Sequence, residues 1–209
     1  LAKSTATGKG VQATQDAMMH FAATQKEYVA IMSVVRLVKE DFEVARRLAD
    51  HIDSVFGPAP KRLWYPGHPE IELALVKLSR ATGEARYFEL ARFFVENRGR
   101  RYFADEHREP RDRYDGTYWQ DDVPIAEHKN IKGHAVRAAY LMSGVTDVAG
   151  ETGDPRLLAM LGRVWRNTTQ RNQYLTGGIG PSAHNEGFTE DYDLPNDTAY
   201  QETCATIAL

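Results

Sequence analysis

The stretch Ala81-Thr82-Gly83-Glu84-Ala85-Arg86-Tyr87 lies between two apolar segments with the periodicity of α-helices. Gly83 suits the left-handed conformation in which many helices end. A similar stretch, Glu151-Thr152-Gly153-Asp154-Pro155-Arg156-Leu157, follows 70 residues later (151 − 81 = 70) and again separates two apolar segments. Because repeated helical hairpins bury their apolar faces against one another, the pattern predicts stacked α/α units, arranged as a solenoid or as a closed ring.

Helical periodicity covers most of the chain and predicts an all-α fold of about seven or eight helices. We expect helices at residues 42–55 with Asp41 as the N-cap, from Pro69 to the turn at 81–84, at 87–96, at 123–144 and at 156–168, after one or two in residues 11–39. Only a few residues near Tyr174 carry a strand pattern. Three long polar loops remain, at 57–68, 98–122 and 170–197, and in a ring of hairpins such loops gather at one mouth.

Composition is that of a globular protein, with 42% hydrophobic and 26% charged residues in a chain of 209, which favours one domain over two. A net charge of −3 gives no electrostatic reason to expect a nucleic-acid or membrane partner. The single cysteine excludes an intrachain disulfide and is consistent with a reducing, cytoplasmic location. Residues 1–16 lack the apolar core of a secretion signal, and the uncapped apolar run at 206–209 is the pattern expected of a truncated domain.

Chemical groups are densest between Thr176 and Cys204, where glycines and Pro181 exclude a packed helix. A long irregular segment of this kind is typical of a binding or catalytic loop. Glu202 and Cys204 are compatible either with a solvated glutamate beside a buried cysteine or with a zinc site, since carboxylate and thiolate are both zinc ligands. Residues i and i+2 point to different sides of a helix, so a shared ion requires an irregular segment at 202–204.

Several separated motifs resemble those of the β-L-arabinofuranosidase family, glycoside hydrolase family 127, in order from about Phe42 to Leu209. They are Pro66-Gly67-His68-Pro69-Glu70, Gly133-His134-Ala135-Val136-Arg137, Thr176-Gly177-Gly178-Ile179-Gly180, Asn185-Glu186-Gly187-Phe188, Asp191-Tyr192-Asp193-Leu194-Pro195-Asn196 and Glu202-Thr203-Cys204-Ala205. The resemblance implies an incomplete (α/α)₆ barrel over residues 41–209, cut at the C-terminus, after a divergent N-terminal helical segment at 1–40.

The resemblance also implies a function: retaining hydrolysis that releases terminal β-L-arabinofuranosyl residues from a carbohydrate substrate. By the matching motifs, Glu186 is the general acid/base, although alone it would be interpreted as a solvated loop carboxylate. His134 and His68 line the sugar pocket, and Glu202 and Cys204 are two of four zinc ligands. The nucleophilic cysteine and a further cysteine ligand are expected downstream of Leu209, so Cys204 is not the nucleophile.

Two other functions remain compatible with the residues. A sugar epimerase could use the same α/α barrel with a pair of histidines and no metal. A non-catalytic helical scaffold, or an inactive fragment, would explain the uncapped C-terminus and the single cysteine. A metal assay separates the first alternative from the hydrolase, and a hydrolysis assay with the downstream sequence added separates the second.

Overall fold

A computed structural model describes residues 42–209. In that range the helices are α1 (Phe42–Val55), α2 (Ile71–Thr82), α3 (Ala85–Asn97), α4 (Phe103–His107), α5 (Ala135–Thr152), α6 (Pro155–Arg171) and α7 (Thr203–Ala208), with 3₁₀ turns at Thr117–Trp119 and Ile125–Glu127. Within it, strand pairing is limited to isolated bridges, one of which joins Gln173 to Ile179 near the expected position. The helices expected in residues 11–39, the Asp41 cap and the segment 1–40 lie outside the described residues.

Both predicted hairpins are present. At the end of α2, Gly83 has φ 75° and its N–H donates to the Ser79 carbonyl at 2.8 Å. At the end of α5, Gly153 has φ 66°, and Asp154 then caps α6 by accepting from the Arg156 N–H at 2.8 Å. These left-handed glycines end one helix and start the next within two residues, as the sequence indicated.

The two hairpins lie side by side with their short turns at the same end. Arg80, near the end of α2, forms ion pairs with Asp147 at 3.3 Å and Glu151 at 2.7 Å on the last turns of α5. Helices α2 and α5 therefore run parallel, and they approach so closely that a Cβ on Gly144 would lie 2.8 Å from the Cβ of Glu72. Helix α7 adds to the same group, since Ser143 of α5 donates to the Ala208 carbonyl at 2.9 Å. This is the arrangement of an incomplete α/α barrel.

Two predicted helix boundaries were wrong. The helix expected over 123–144 is instead the short 3₁₀ turn after Pro124, an extended segment, and α5, which begins at Ala135 and continues past Gly144 to Thr152. Gly133 interrupts it, because its φ of 69° is non-helical and a Cβ there would lie 2.2 Å from the Thr117 carbonyl oxygen. Similarly, α2 begins at Ile71 rather than Pro69, since Glu70 has a non-helical φ of −172°.

Opposite the short turns, a buried ion pair fastens two of the long loops. Arg98 and Glu72 are both fully buried, with 3.8 Å between Nη2 and Oε1. Arg98 also donates to the carbonyls of Pro66 and, at 3.1 Å, Trp119. Asp121 accepts from the hydroxyl of Tyr65 nearby. The loop after α1 and the loop after α3 are thus held to one another and to α2. None of the helices in the described part of the chain has the length and hydropathy of a membrane span.

Candidate active site

Three loops meet at His134, the N-cap residue of α5. Its Nδ1 accepts the backbone N–H of Arg137 at 3.3 Å, so in the neutral ring the hydrogen resides on Nε2. That nitrogen lies 3.3 Å from Oε2 of Glu186, on the loop after α6. His68, in the loop after α1, has its ring centroid 5.9 Å from that of His134. Tyr118, in the loop after α3, has its ring centroid 5.5 Å from that of His134. The predicted convergence of loops at one mouth is therefore confirmed.

Main-chain contacts place Glu186. Its carbonyl accepts the N–H of Ala135 at 3.0 Å, and the Phe188 N–H donates to the Gly133 carbonyl at 2.9 Å. A Cβ on Gly187 would lie 2.0 Å from that same Gly133 oxygen, so only glycine permits the approach. Glu186 itself has φ 48°, a conformation rare in residues other than glycine. The backbone of the loop is thus pressed directly against the start of α5.

His134 is a neutral imidazole at neutral pH. Burial, then the positive charges of Arg137 and His68, lower its pKa to about 4 against the opposing effect of Glu186. The Arg137 guanidinium lies over the rings of Tyr118 and Trp119, at 4.9 and 4.3 Å from their centroids. A neutral His134 therefore presents its Nε2–H to Glu186, 3.3 Å from Oε2, without forming an ion pair with it.

His68 lies beside the buried carboxylate of Glu70, with 3.1 Å between Nδ1 and Oε1. The ring N–H is not aligned with the oxygen, so the contact is electrostatic rather than a hydrogen bond. On α5, the pKa of Tyr140 is raised by burial and by the nearby Glu70.

Tyr200 connects Glu186 to the start of α7. Its hydroxyl donates to Oε1 of Glu186 at 3.2 Å. Desolvation raises the pKa of Tyr200, and the charges of Glu202, Glu186 and Cys204 raise it further. The Tyr200 hydroxyl therefore contacts the predicted acid/base from a position two residues before the predicted metal ligand Glu202 in the chain.

Glu202 and Cys204 lie at the start of α7. Glu202 is the N-cap residue of α7, with the non-helical angles φ −55° and ψ 131°. Burial, followed by a hydrogen bond to the Glu202 carboxylate, raises the pKa of the Cys204 thiol to about 11. In the region 42–209, however, no group of three or more histidine, cysteine, aspartate and glutamate side chains is arranged to hold a metal ion.

Asp191, within another of the family-like motifs, holds the loop to α6 rather than lining the mouth. Its carboxylate accepts from Asn167 at 2.8 Å, Asn172 at 3.0 Å and Arg171 at 2.7 Å. The Arg171 guanidinium lowers the pKa of this carboxyl group. The loop that carries Glu186 is therefore anchored at Asp191 as well as at α5.

Sequence reasoning identified His68, His134, Glu186, Glu202 and Cys204, and it missed four residues of the same region. Arg137 stood in the Gly-His-Ala-Val-Arg motif and Glu70 in the Pro-Gly-His-Pro-Glu motif, which was the available signal. Tyr118 and Tyr200 carried no signal of their own, because aromatic residues occur throughout these loops. The structure brings Glu186, His134 and His68 to one wall, and Tyr200 contacts Glu186 there.

Comparison with known proteins agrees with this geometry. A family model described as the catalytic domain of glycoside hydrolase family 127 β-L-arabinofuranosidases matches residues 21–209, starting upstream of the Phe42 at which the motifs begin. The chain is 40% identical over 182 residues to a non-reducing end β-L-arabinofuranosidase of Bifidobacterium longum subsp. longum. That alignment covers 82% of this chain and 28% of the relative, so the chain spans less than a third of the relative's length.

Solved structures give the same result. A family 127 β-L-arabinofuranosidase from Geobacillus stearothermophilus T6 superimposes with a TM-score of 0.77 at 37% identity, covering 96% of this chain and 33% of that one. Another family 127 β-arabinofuranosidase gives a TM-score of 0.76 at 34% identity, covering 91% and 28%. The motifs, the helical hairpins and these matches together show that the chain belongs to glycoside hydrolase family 127, as part of its catalytic domain.

Proposed function

We propose that this chain supplies part of the active site of a retaining glycoside hydrolase that releases terminal β-L-arabinofuranosyl residues from oligosaccharides or glycoconjugates. The observation that carries the proposal is the placement of Glu186 at the mouth, with one carboxylate oxygen 3.3 Å from His134 Nε2 and the other 3.2 Å from the Tyr200 hydroxyl. The relatives with this fold are named for β-arabinofuranosidase activity.

Glu186 is the proposed acid/base. In retaining hydrolysis one carboxyl group first protonates the leaving-group oxygen and then, as a carboxylate, takes a proton from the attacking water. The Glu186 side chain is 47% exposed, so it can reach a substrate in the mouth, whereas the His134 side chain beside it is only 8% exposed. Fixed partners for both carboxylate oxygens keep the group in one orientation for both steps.

His68 and His134 are the proposed sugar contacts. They form adjacent walls of the mouth, and imidazole nitrogens can hydrogen-bond hydroxyl groups. Their pairing also suits an epimerase, but family membership and the acidic residue placed against His134 favour hydrolysis.

Zinc is the proposed cofactor, and the residues present fit half of its site. Glu202 and Cys204 offer a carboxylate and a thiol two residues apart, where the chain enters α7 with non-helical angles at Glu202, and this is a zinc-type donor set. Two further cysteines, one of them the nucleophile, are expected from residues that follow Leu209 in the whole protein. When bound, zinc would keep thiols deprotonated at neutral pH. A reducing, cytoplasmic location would keep these thiols available.

The test is Glu186→Gln in a protein that carries this chain with the rest of the catalytic domain. The amide keeps the shape of the side chain but cannot deliver a proton. Hydrolysis of substrates with poor leaving groups should fall by about 10²- to 10⁴-fold, and substrates with activated leaving groups should lose less in the first step. Glu190→Gln, an exposed residue of the same loop, is the matched control and should leave both rates unchanged. Wild-type rates for Glu186→Gln on both substrates would refute the assignment.

A further inference from the structure

The two carboxylate oxygens of Glu186 have different kinds of partner. Oε2 faces Nε2 of His134 and Oε1 faces the hydroxyl of Tyr200. The Tyr200 hydroxyl donates to Oε1, and the N–H of His134 lies next to Oε2, an arrangement that suits the carboxylate that exists after proton transfer. A general acid must begin protonated, however. One of the two Glu186 oxygens then carries a hydrogen, and the partner that faces this oxygen has to accept a hydrogen bond from it.

His134 cannot be that partner. Its Nδ1 accepts the Arg137 N–H at the start of α5, so Nε2 keeps its hydrogen and remains a donor. A hydrogen on Oε2 would point at the hydrogen on Nε2. Tyr200 has no such restriction, because a hydroxyl group rotates and can either donate or accept.

We propose that Tyr200 is a positioning residue for Glu186, and that together with His134 it assigns the transferable proton to Oε1. This inference rests on the acid/base role proposed above. It names the oxygen that performs the proton transfer and a residue whose hydroxyl accepts from the protonated acid and donates to the carboxylate.

The backbone of Tyr200 is built into the loop that carries Glu186. Its N–H donates to the Pro181 carbonyl at 3.1 Å, and the Gln201 N–H donates to the Gly180 carbonyl at 3.0 Å. The Gln201 side chain then fills the place where Gly178 would have a Cβ, with its Oε1 2.1 Å from that position. The segment that carries the hydroxyl is thus paired with the loop that carries the carboxylate.

The proton follows a balanced path. In the first step the anomeric C–O bond breaks, its electron pair stays on the leaving oxygen, and that oxygen takes the proton from Oε1 while a thiolate sulfur bonds to the anomeric carbon. In the second step a water oxygen bonds to that carbon, the C–S bond breaks with its electron pair returning to sulfur, and Oε1 takes the water proton. Tyr200 stays neutral and only turns its hydroxyl, from acceptor to donor and back.

Tyr200→Phe tests the proposal, because it removes the hydroxyl and keeps the ring. It should be measured in the protein with the rest of the catalytic domain, on substrates with poor and with activated leaving groups. We expect kcat on the poor leaving group to fall by about 10-fold, the size of one hydrogen bond to a charged group, with KM within about twofold. The activated substrate should lose less in its glycosylation step.

Tyr192→Phe is the matched control, since Tyr192 is exposed at 67% and lies beside Arg171 outside the mouth. It should behave as wild type. Unchanged kcat for Tyr200→Phe on both substrates would overturn the inference, and so would an equal loss on both with a raised KM, which indicates a binding or structural role. Glu186→Gln, assayed in parallel, separates the two proposals: if it is impaired while Tyr200→Phe is not, only the role of Tyr200 fails.

Discussion

Replacing Arg98 by methionine should destabilise the protein strongly and in a pH-dependent way. The Arg98–Glu72 pair is fully buried at 3.8 Å, and both Arg98 Nε and Glu72 Oε1 lack hydrogen-bond partners. Such a pair adds little net stability, but removing one member leaves the other as an unpaired buried charge. That loss is about 3–5 kcal/mol, which for a protein of this size corresponds to a fall of roughly 6–20 °C in Tm.

The pH dependence follows from Glu72. Burial raises the pKa of its carboxyl group, and Arg98 opposes that shift, so the variant should have an even higher Glu72 pKa. A carboxyl group whose pKa is raised on folding destabilises the fold as pH increases from its unfolded value, about 4.3, through the folded value. The loss of stability in Arg98→Met should therefore be larger at pH 8 than at pH 5.

Thermal and denaturant unfolding at the two pH values measure this loss. The double variant Arg98→Met/Glu72→Gln should recover much of it, since no buried charge remains. Arg92→Met is the matched control: Arg92 is on α3, the helix that ends just before Arg98, is 43% exposed and pairs with Glu96, and its loss should change stability by less than about 1 kcal/mol. A loss below about 1 kcal/mol for Arg98→Met, or equal losses at both pH values, would refute the reasoning.

Two further predictions concern the mouth. Gly187→Ala should displace Glu186 and reduce hydrolysis, because the new Cβ would lie 2.0 Å from the Gly133 carbonyl oxygen. Gly162→Ala is the control and should keep full activity, since the nearest atom to its new Cβ belongs to the flexible Arg166 side chain, 3.7 Å away. The rate of Cys204 alkylation in the chelator-treated chain should rise with pH toward an apparent pKa of about 11. Glu202→Gln should shift that titration to lower pH, since it removes the neighbouring negative charge, and an unchanged titration would contradict the contact.

The hairpins could be predicted from the sequence because their determinants are local. Gly83 ends α2 and Asp154 starts α6 through hydrogen bonds within a few residues. The interruption of helical structure before α5 could not be predicted in this way. Gly133 is required there by its contact with Thr117, which lies 16 residues earlier in the chain (133 − 117 = 16). Apolar periodicity in 123–144 carries no information about such a contact.

The same division applies to the candidate site. Glu186 and His134 stood in recognisable motifs, and their resemblance to a known family pointed to a shared site before any distance was known. Tyr200 could not be assigned to the site in this way. Its hydroxyl reaches Glu186 because the Tyr200 backbone N–H is hydrogen-bonded to the Pro181 carbonyl. Both are properties of the folded loop rather than of residue type.

The backbone contacts of Glu186 have a consequence for evolution of this site. Its backbone is held by the main-chain hydrogen bonds from Ala135 to Glu186 and from Phe188 to Gly133 and by the missing side chain of Gly187, so among its neighbours in the loop only Gly187 is fixed by steric contact. Neighbours such as Ala183 and His184, both exposed, can therefore be exchanged without moving the carboxylate. Selection can thus alter which glycan is accepted at the mouth while the proton-transfer chemistry is inherited unchanged.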